Sequence, residues 1–154
     1  MVNRVSLSAL ALVAVGSLGL ALSVKAIAPS NLAVEVSGLN PQRGNVCLRL
    51  FSRAQGFPTG NESVVQDRCA AVTGGAVMVN FAGLTAGNYA VSVLHDENSD
   101  QALNRNALGI PTEGIGFSRN PRIIAGPPSF RDSSVVVAGP NTQINIQIRY
   151  LLGR

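Results

Sequence analysis

Residues 88–118 read NYAVSVLHDENSDQALNRNALGIPTEGIGFS. The opening residues alternate, with Tyr89, Val91, Val93 and His95 on one face and Ala90, Ser92 and Leu94 on the other. That period of two predicts a half-buried β-strand. The strand runs into a polar stretch in which Asp96, Glu97, Asn98, Asp100 and Asn104 crowd side-chain oxygens into nine positions. A segment punctuated by Gly and Pro follows. A long loop on a β scaffold, rich in side chains that do not pack, is where function concentrates.

The same period recurs on both sides. Leu32, Val34 and Val36 alternate over 31–39, and Val46, Leu48 and Leu50 over 45–53, with Cys47, Arg49 and Phe51 on the opposite face. The turn between them, Asn40-Pro41-Gln42-Arg43-Gly44, predicts a hairpin. Residues 54–75 are less regular and read as a loop with a helical turn or short strand. Val77, Val79 and Phe81 resume the alternation, and a tight connection at 83–87 leads to Asn88. Residues 96–128 carry no period; Val135-Val136-Val137 is a continuous apolar run. Ile144, Ile146, Ile148 and Tyr150 then alternate against Asn145, Gln147 and Arg149 in a last strand over 142–151. Short Val- and Ile-rich strands without a 3.6-residue period predict an all-β fold. The expected form is an antiparallel Greek-key sandwich, immunoglobulin-like or transthyretin-like, with its long loop after a central strand. The Leu84-x-x-Gly87-x-Tyr89 spacing suits a tyrosine whose hydroxyl bonds the nearby backbone at a corner, although an ordinary core tyrosine fits the same pattern.

The first 26 residues read as a signal peptide rather than as part of the domain. Arg4 supplies a basic start, residues 5–24 are uncharged and rich in Ala, Leu and Val, and Val24-Lys25-Ala26 fits a cleavage site. A cut after Ala28 also satisfies the pattern but leaves Pro29 first. Twenty uncharged residues could also just span a bilayer as an anchor, but the Ser and Gly within them weaken that reading. The expectation is export to the periplasm or beyond, with residues 27–154 as one domain and no stable membrane span once the leader is gone. Of 12 basic and 8 acidic residues, Arg4 and Lys25 leave with the leader, so the remainder is formally +2. The ten remaining arginines are scattered singly, with no basic stripe interleaved with aromatics. Nucleic acid is therefore not an expected partner. Two cysteines, Cys47 and Cys69, in an exported chain predict one disulfide. Closing a loop of 22 residues is worth about 3 kcal/mol on the loop-entropy model. A metal site or catalytic thiol lacks support, because there is no C-x-x-C and only one histidine.

In the polar stretch, Asp96, Asn98, Asp100 and Asn104 place oxygens at alternating positions, as the first half of an EF-hand loop does, which makes calcium the candidate cofactor. Gln101 stands where that loop has Gly, and Ala107 where it has a bidentate Glu. Side chains capping their own backbone would account for the same residues. His95 next to Asp96 could serve as a base, but neighbouring strand residues point to opposite faces. The expectation is that His95 donates to the backbone of the loop and holds it. Glu97 and Glu113 are the remaining acids of the loop, with Glu113 in a rigid Gly/Pro turn. Phe117 and Phe130 are expected to pack the segment down onto the sheets.

Several segments together resemble a known family. They are Leu32-x-Val34-x-Val36-x-Gly38-Leu39, Gly44-x-Val46, Leu84-x-x-Gly87-x-Tyr89-Ala90-Val91, His95-Asp96-Glu97-Asn98, Leu108 to Ser118, and Pro127-Pro128-Ser129-Phe130. They resemble the exported bacterial family of domain of unknown function 2141. Its Asn-Gly-Asn-Gly-x-Leu-Asp continuation is here Asn98-Ser99-Asp100-Gln101-Ala102-Leu103-Asn104. The loss of both glycines and the final Asp weakens a cation site, while Asp100 restores one charge. The resemblance implies an exported, compact β domain and no particular activity. Two function classes are carried forward. One is a non-enzymatic domain that binds a protein or glycan partner, or builds the envelope, through residues 96–128. The other is a hydrolase of envelope or extracellular glycan working through carboxylates such as Asp96, Glu97 and Glu113.

Overall fold

A computed structural model describes residues 28–153; the expected leader lies outside the described residues. In chain order the elements are β1 (Ser30–Ser37), β2 (Asn45–Phe51), β3 (Val64–Ala71), β4 (Val77–Leu84), β5 (Gly87–Asp96), β6 (Gly114–Phe117), the single turn α1 (Phe130–Ser133), β7 (Val135–Val137) and β8 (Asn141–Gln147). The fold is all-β. One sheet has the order β4-β1-β8 and the other β3-β2-β5-β6, with β7 following β6 along the same edge of β5.

The inward rows match the sequence alternation. Leu32, Val34 and Val36 of β1, Val46, Leu48 and Leu50 of β2, and Val91 of β5 are fully buried in one core shared by both sheets. Phe81 and Ile146 complete it from β4 and β8. Burying such side chains contributes about 1.5–3 kcal/mol each. Tyr89 does form the corner its spacing suited: its hydroxyl donates to the Thr85 carbonyl at 2.7 Å.

Four expectations change. First, β1 and β2 do not form a hairpin, because β1 pairs with β4 and β8, and β2 pairs with β3 and β5. Residues 38–44 instead carry the chain from one sheet to the other. At the end of this arch Gly44 has φ +76°, and a Cβ there would sit 2.2 Å from the Asp96 carbonyl oxygen. Second, residues 64–71 form a full edge strand. Residues on both its faces are exposed, Asp67 outward and Arg68 on the row that pairs with core-facing Leu48, so no apolar period marks it. Cys47 and Cys69 face each other across β2 and β3 with sulfurs at bonding distance, 1.97 Å.

Third, the sheets are not purely antiparallel: β1 and β8 run parallel from Asn31↔Asn141 to Ser37↔Gln147. Fourth, the aperiodic segment hides β6. Gly114 and Gly116 occupy the face where the β8 side would leave no room. A Cβ on Gly114 would lie 2.5 Å from Ile148 Cγ2, and one on Gly116 2.8 Å from Ile146 Cγ2. With glycine on that face, alternation leaves no trace in the sequence. Beyond β8, Ile115 and Arg149 exchange backbone hydrogen bonds of 3.0 and 2.8 Å, which ties the two sheets together along this side.

Phe51 also departs from expectation, since it is fully buried although it faces away from the shared core. Phe57 covers it at 5.1 Å and meets Phe117 at 6.1 Å and Phe130 at 5.9 Å, all edge to face. Phe117 and Phe130 thus pack down as expected, with Phe57 between them. The turn α1 is capped by Ser129, whose side chain accepts from the Asp132 N–H. The Ser-x-x-Asp spacing is a readable start signal for it.

Candidate functional site

The 38–44 arch, the excursion 97–113 and the segment after β8 gather at one pole, and His95 links them. This residue is fully buried at the end of β5. Its Nε2 lies 2.8 Å from the Arg43 carbonyl. A carbonyl only accepts, so Nε2 carries the hydrogen, and Nδ1 accepts from the Tyr150 hydroxyl at 2.6 Å. The Tyr150 oxygen in turn accepts from the Asn40 N–H at 2.7 Å. His95 therefore donates to the arch, not to the 96–128 backbone as the sequence suggested. Both ring nitrogens are engaged in joining β5, the arch and the C-terminal segment.

The acids of the excursion turn inward onto the chain itself. Asp96 is fully buried, and its two oxygens accept from the N–H groups of Asp100 (3.2 Å) and Gln101 (2.9 Å). Glu113, also buried, accepts from the N–H groups of Glu97 (3.1 Å) and Asn104 (3.0 Å). Four carboxylate oxygens thus take four backbone donors. Ser99 and Gln101 adopt φ of +63° and +61°, the conformation glycine would adopt freely. Asn98 Nδ2 donates to Asp100 and Asn104, and Asn104 Nδ2 donates to Asp100. The Ala102 N–H above all, with the Asn104 and Asn98 amides, holds the Asp100 carboxyl below the ordinary carboxylate range. Glu97 approaches the exposed Arg43 guanidinium at 3.9 Å. The expected calcium ligands Asp96, Asn98, Asp100 and Asn104 are therefore brought together, with N–H donors facing their carboxylates. Among the described residues no group of three or more His, Cys, Asp or Glu is placed to hold a metal.

The excursion ends in a narrow finger. Arg105 and Pro111 bridge, Thr112 N–H donates to the Asn104 carbonyl, and Asn106 N–H to that of Ile110, both at 3.0 Å. Asn106 Oδ1 accepts from Leu108 and Ile110, and Arg105 donates to the Gly109 carbonyl at 2.8 Å. At the tip Leu108 is 82 % exposed. Sequence reasoning passed over Leu108 and Asn106. The signal was Asn106-Ala107-Leu108-Gly109, an Asx turn closed by glycine at φ +75°.

The model of a family described as an uncharacterized protein conserved in bacteria (DUF2141) matches residues 34–145, from within β1 to within β8. The chain belongs to this family. No curated protein and no solved structure matches it.

Two open clefts of this DUF2141 domain lie away from its buried carboxylates. One, of about 650 Å³, is walled by Arg119, Arg122, Ile124 and Asp132. The other, of about 590 Å³, is walled by Arg122, Ile124, Arg149, Tyr150 and Leu151. Asp96, Glu97, Glu113 and His95 line neither. The Ser129 hydroxyl holds Asp132 below its ordinary value, opposed by some burial and helped by nearby Arg131 and Arg119. Arginines that read as scattered in the sequence thus share two clefts. Among the described residues, no helix is long and apolar enough to cross a membrane.

Proposed function

We propose that this DUF2141 protein is exported and acts without catalysis, as a binding domain that presents the excursion 97–113 to a protein or glycan outside the cytoplasm. One observation carries the reading: all four oxygens of Asp96 and Glu113 clamp backbone N–H groups, and the loop they brace holds an exposed Leu108 at its tip. A loop held in its binding shape loses little conformational entropy on association. The leader-like first 26 residues and the cysteine pair at bonding distance support export. The corner made by Tyr89 supports a Greek-key arrangement of the immunoglobulin-like or transthyretin-like kind. The hydrolase alternative needs two carboxylates facing a substrate across a cleft, whereas Asp96 and Glu113 face their own loop.

Glu113→Gln separates the two. The binding reading expects a lower melting temperature and faster exchange at the Glu97 and Asn104 amides. It also expects no glycan turnover by the unaltered protein. Turnover lost in this variant at an unchanged melting temperature would overturn the proposal. Leu108→Asp is expected to abolish retention on envelope extracts while leaving the fold as stable as before.

A further inference from the structure

The basic residues are distributed unevenly along the chain. Residues 114–154 carry five arginines and a single acid, Asp132, whereas 28–113 carry five arginines and seven acids. The fold concentrates this excess. Arg119 and Arg122 share one cleft, Arg122 and Arg149 the other, and Ile124 stands in the wall between them. Arg119 donates to the Arg131 carbonyl at 3.5 Å and lies near Asp132. Among the described residues the Arg122 and Arg149 side chains have no hydrogen-bond or ion-pair partner. Beside them, Ile124 is 87 % exposed, Leu151 39 % and Leu152 51 %. Exposed aliphatic side chains beside the unpartnered guanidinium groups of Arg122 and Arg149 mark an interaction surface.

We propose that the arm 119–128 and the turn 149–152 form a docking face for an anionic lipid bilayer. Ile124 and Leu151 enter the acyl boundary while Arg119, Arg122 and Arg149 bind lipid phosphates. A guanidinium matches a phosphate with paired donors and tolerates partial dehydration. An anionic bilayer presents a phosphate layer directly above an apolar one, and this face offers guanidinium groups and exposed aliphatics side by side to meet both. A nucleic acid would want several stacking aromatics between the charges, whereas the two clefts together hold one, Tyr150, whose hydroxyl is tied to His95 and Asn40. This face shares no residue with the finger, so it goes beyond the role proposed above.

The test is co-sedimentation of protein purified from cells expressing the full chain. It uses phosphatidylcholine vesicles with and without about one-third phosphatidylglycerol. Partition onto the anionic vesicles is expected to exceed that onto neutral ones by at least about tenfold and to fall steeply by about 0.5 M salt. Arg122→Glu with Arg149→Glu removes most of that excess, and Ile124→Ser lowers partition severalfold, with melting temperatures unchanged because all three sites are exposed. Equal partition onto both vesicle types overturns the proposal, as does an unaltered partition of the double variant. Binding of soluble glycerol phosphate without vesicle binding also overturns it, by pointing to a free anion. Leu108→Asp leaves vesicle partition intact, so failure here and failure of the finger's role remain separable.

Discussion

The two long connections that flank β6 solve the same problem in opposite ways. The excursion 97–113 is braced from within: two buried carboxylates take four backbone N–H groups, and Asn106 and Arg105 close the finger. The arm 118–129 is held at its ends, by Ser118 on Val91 and Ser133 and by Asn120 on Asn145 and Gln147. Between them, residues 121–128 form no hydrogen bond with other described residues. A loop whose polar groups are satisfied internally keeps one shape, while a loop pinned only at its ends can follow what it touches. The difference teaches where shape is encoded in this molecule, namely in the acids rather than in the prolines.

The largest effect should come from removing a brace. Asp96→Ala takes the acceptor from the Gln101 N–H and leaves the Asp100 N–H with Asn98 Oδ1 alone, at a cost of about 2 kcal/mol in denaturant unfolding. Pro127→Ala in the arm should cost less than about 0.5 kcal/mol. Similar values for the two would erase the contrast. Next, trypsin should cut after Arg119 and Arg122 at least about tenfold faster than after Arg105, and Asp96→Ala should bring Arg105 up to the rate of the arm.

A smaller effect concerns pH. Asp100 and Asp132 both have folded values lowered below the ordinary carboxylate value. Each therefore contributes stability that is present above the unfolded value near 4 and is lost as pH falls through the folded one. The dependence of the melting temperature on pH between about 2 and 5 should weaken in Asp100→Asn and in Asp132→Asn. The smallest response should be to calcium, because an ion would have to displace N–H donors already seated on Asp96 and Asp100. Melts in calcium and in chelator should coincide within about 1 °C. A clear rise would return Asp96, Asn98, Asp100 and Asn104 to the ligand set the sequence suggested.

What the sequence made legible was burial on one side of a strand. Leu32, Val34 and Val36, or Val46, Leu48 and Leu50, announce their strands because every second residue meets the core. The edge strand Val64–Ala71 has no such row, and β6 replaces one row by glycine, so neither shows a period. Pairing was less legible than strand position, because the turn at 40–44 reads alike whether it folds back within a sheet or arches over the core. The acids of the excursion were found by their spacing. Spacing offered both a cation and the loop's own backbone as their partner and could not choose between them, since a carboxylate that takes a cation and one that takes backbone amides have the same identity and differ only in what lies opposite. The basic face escaped notice because Arg122 and Arg149 become neighbours only once β6 and the chain beyond β8 have met.

The parallel run of β1 beside β8 has a mechanical consequence. The strand that opens the described chain starts at one pole, and the strand that closes it finishes at the other. Tension applied between Ser30 and Tyr150 would drag the two strands past each other lengthwise, straining all their mutual hydrogen bonds at once instead of peeling them apart singly. Pulled from those two points, the β1–β8 pair is loaded in shear along its whole register.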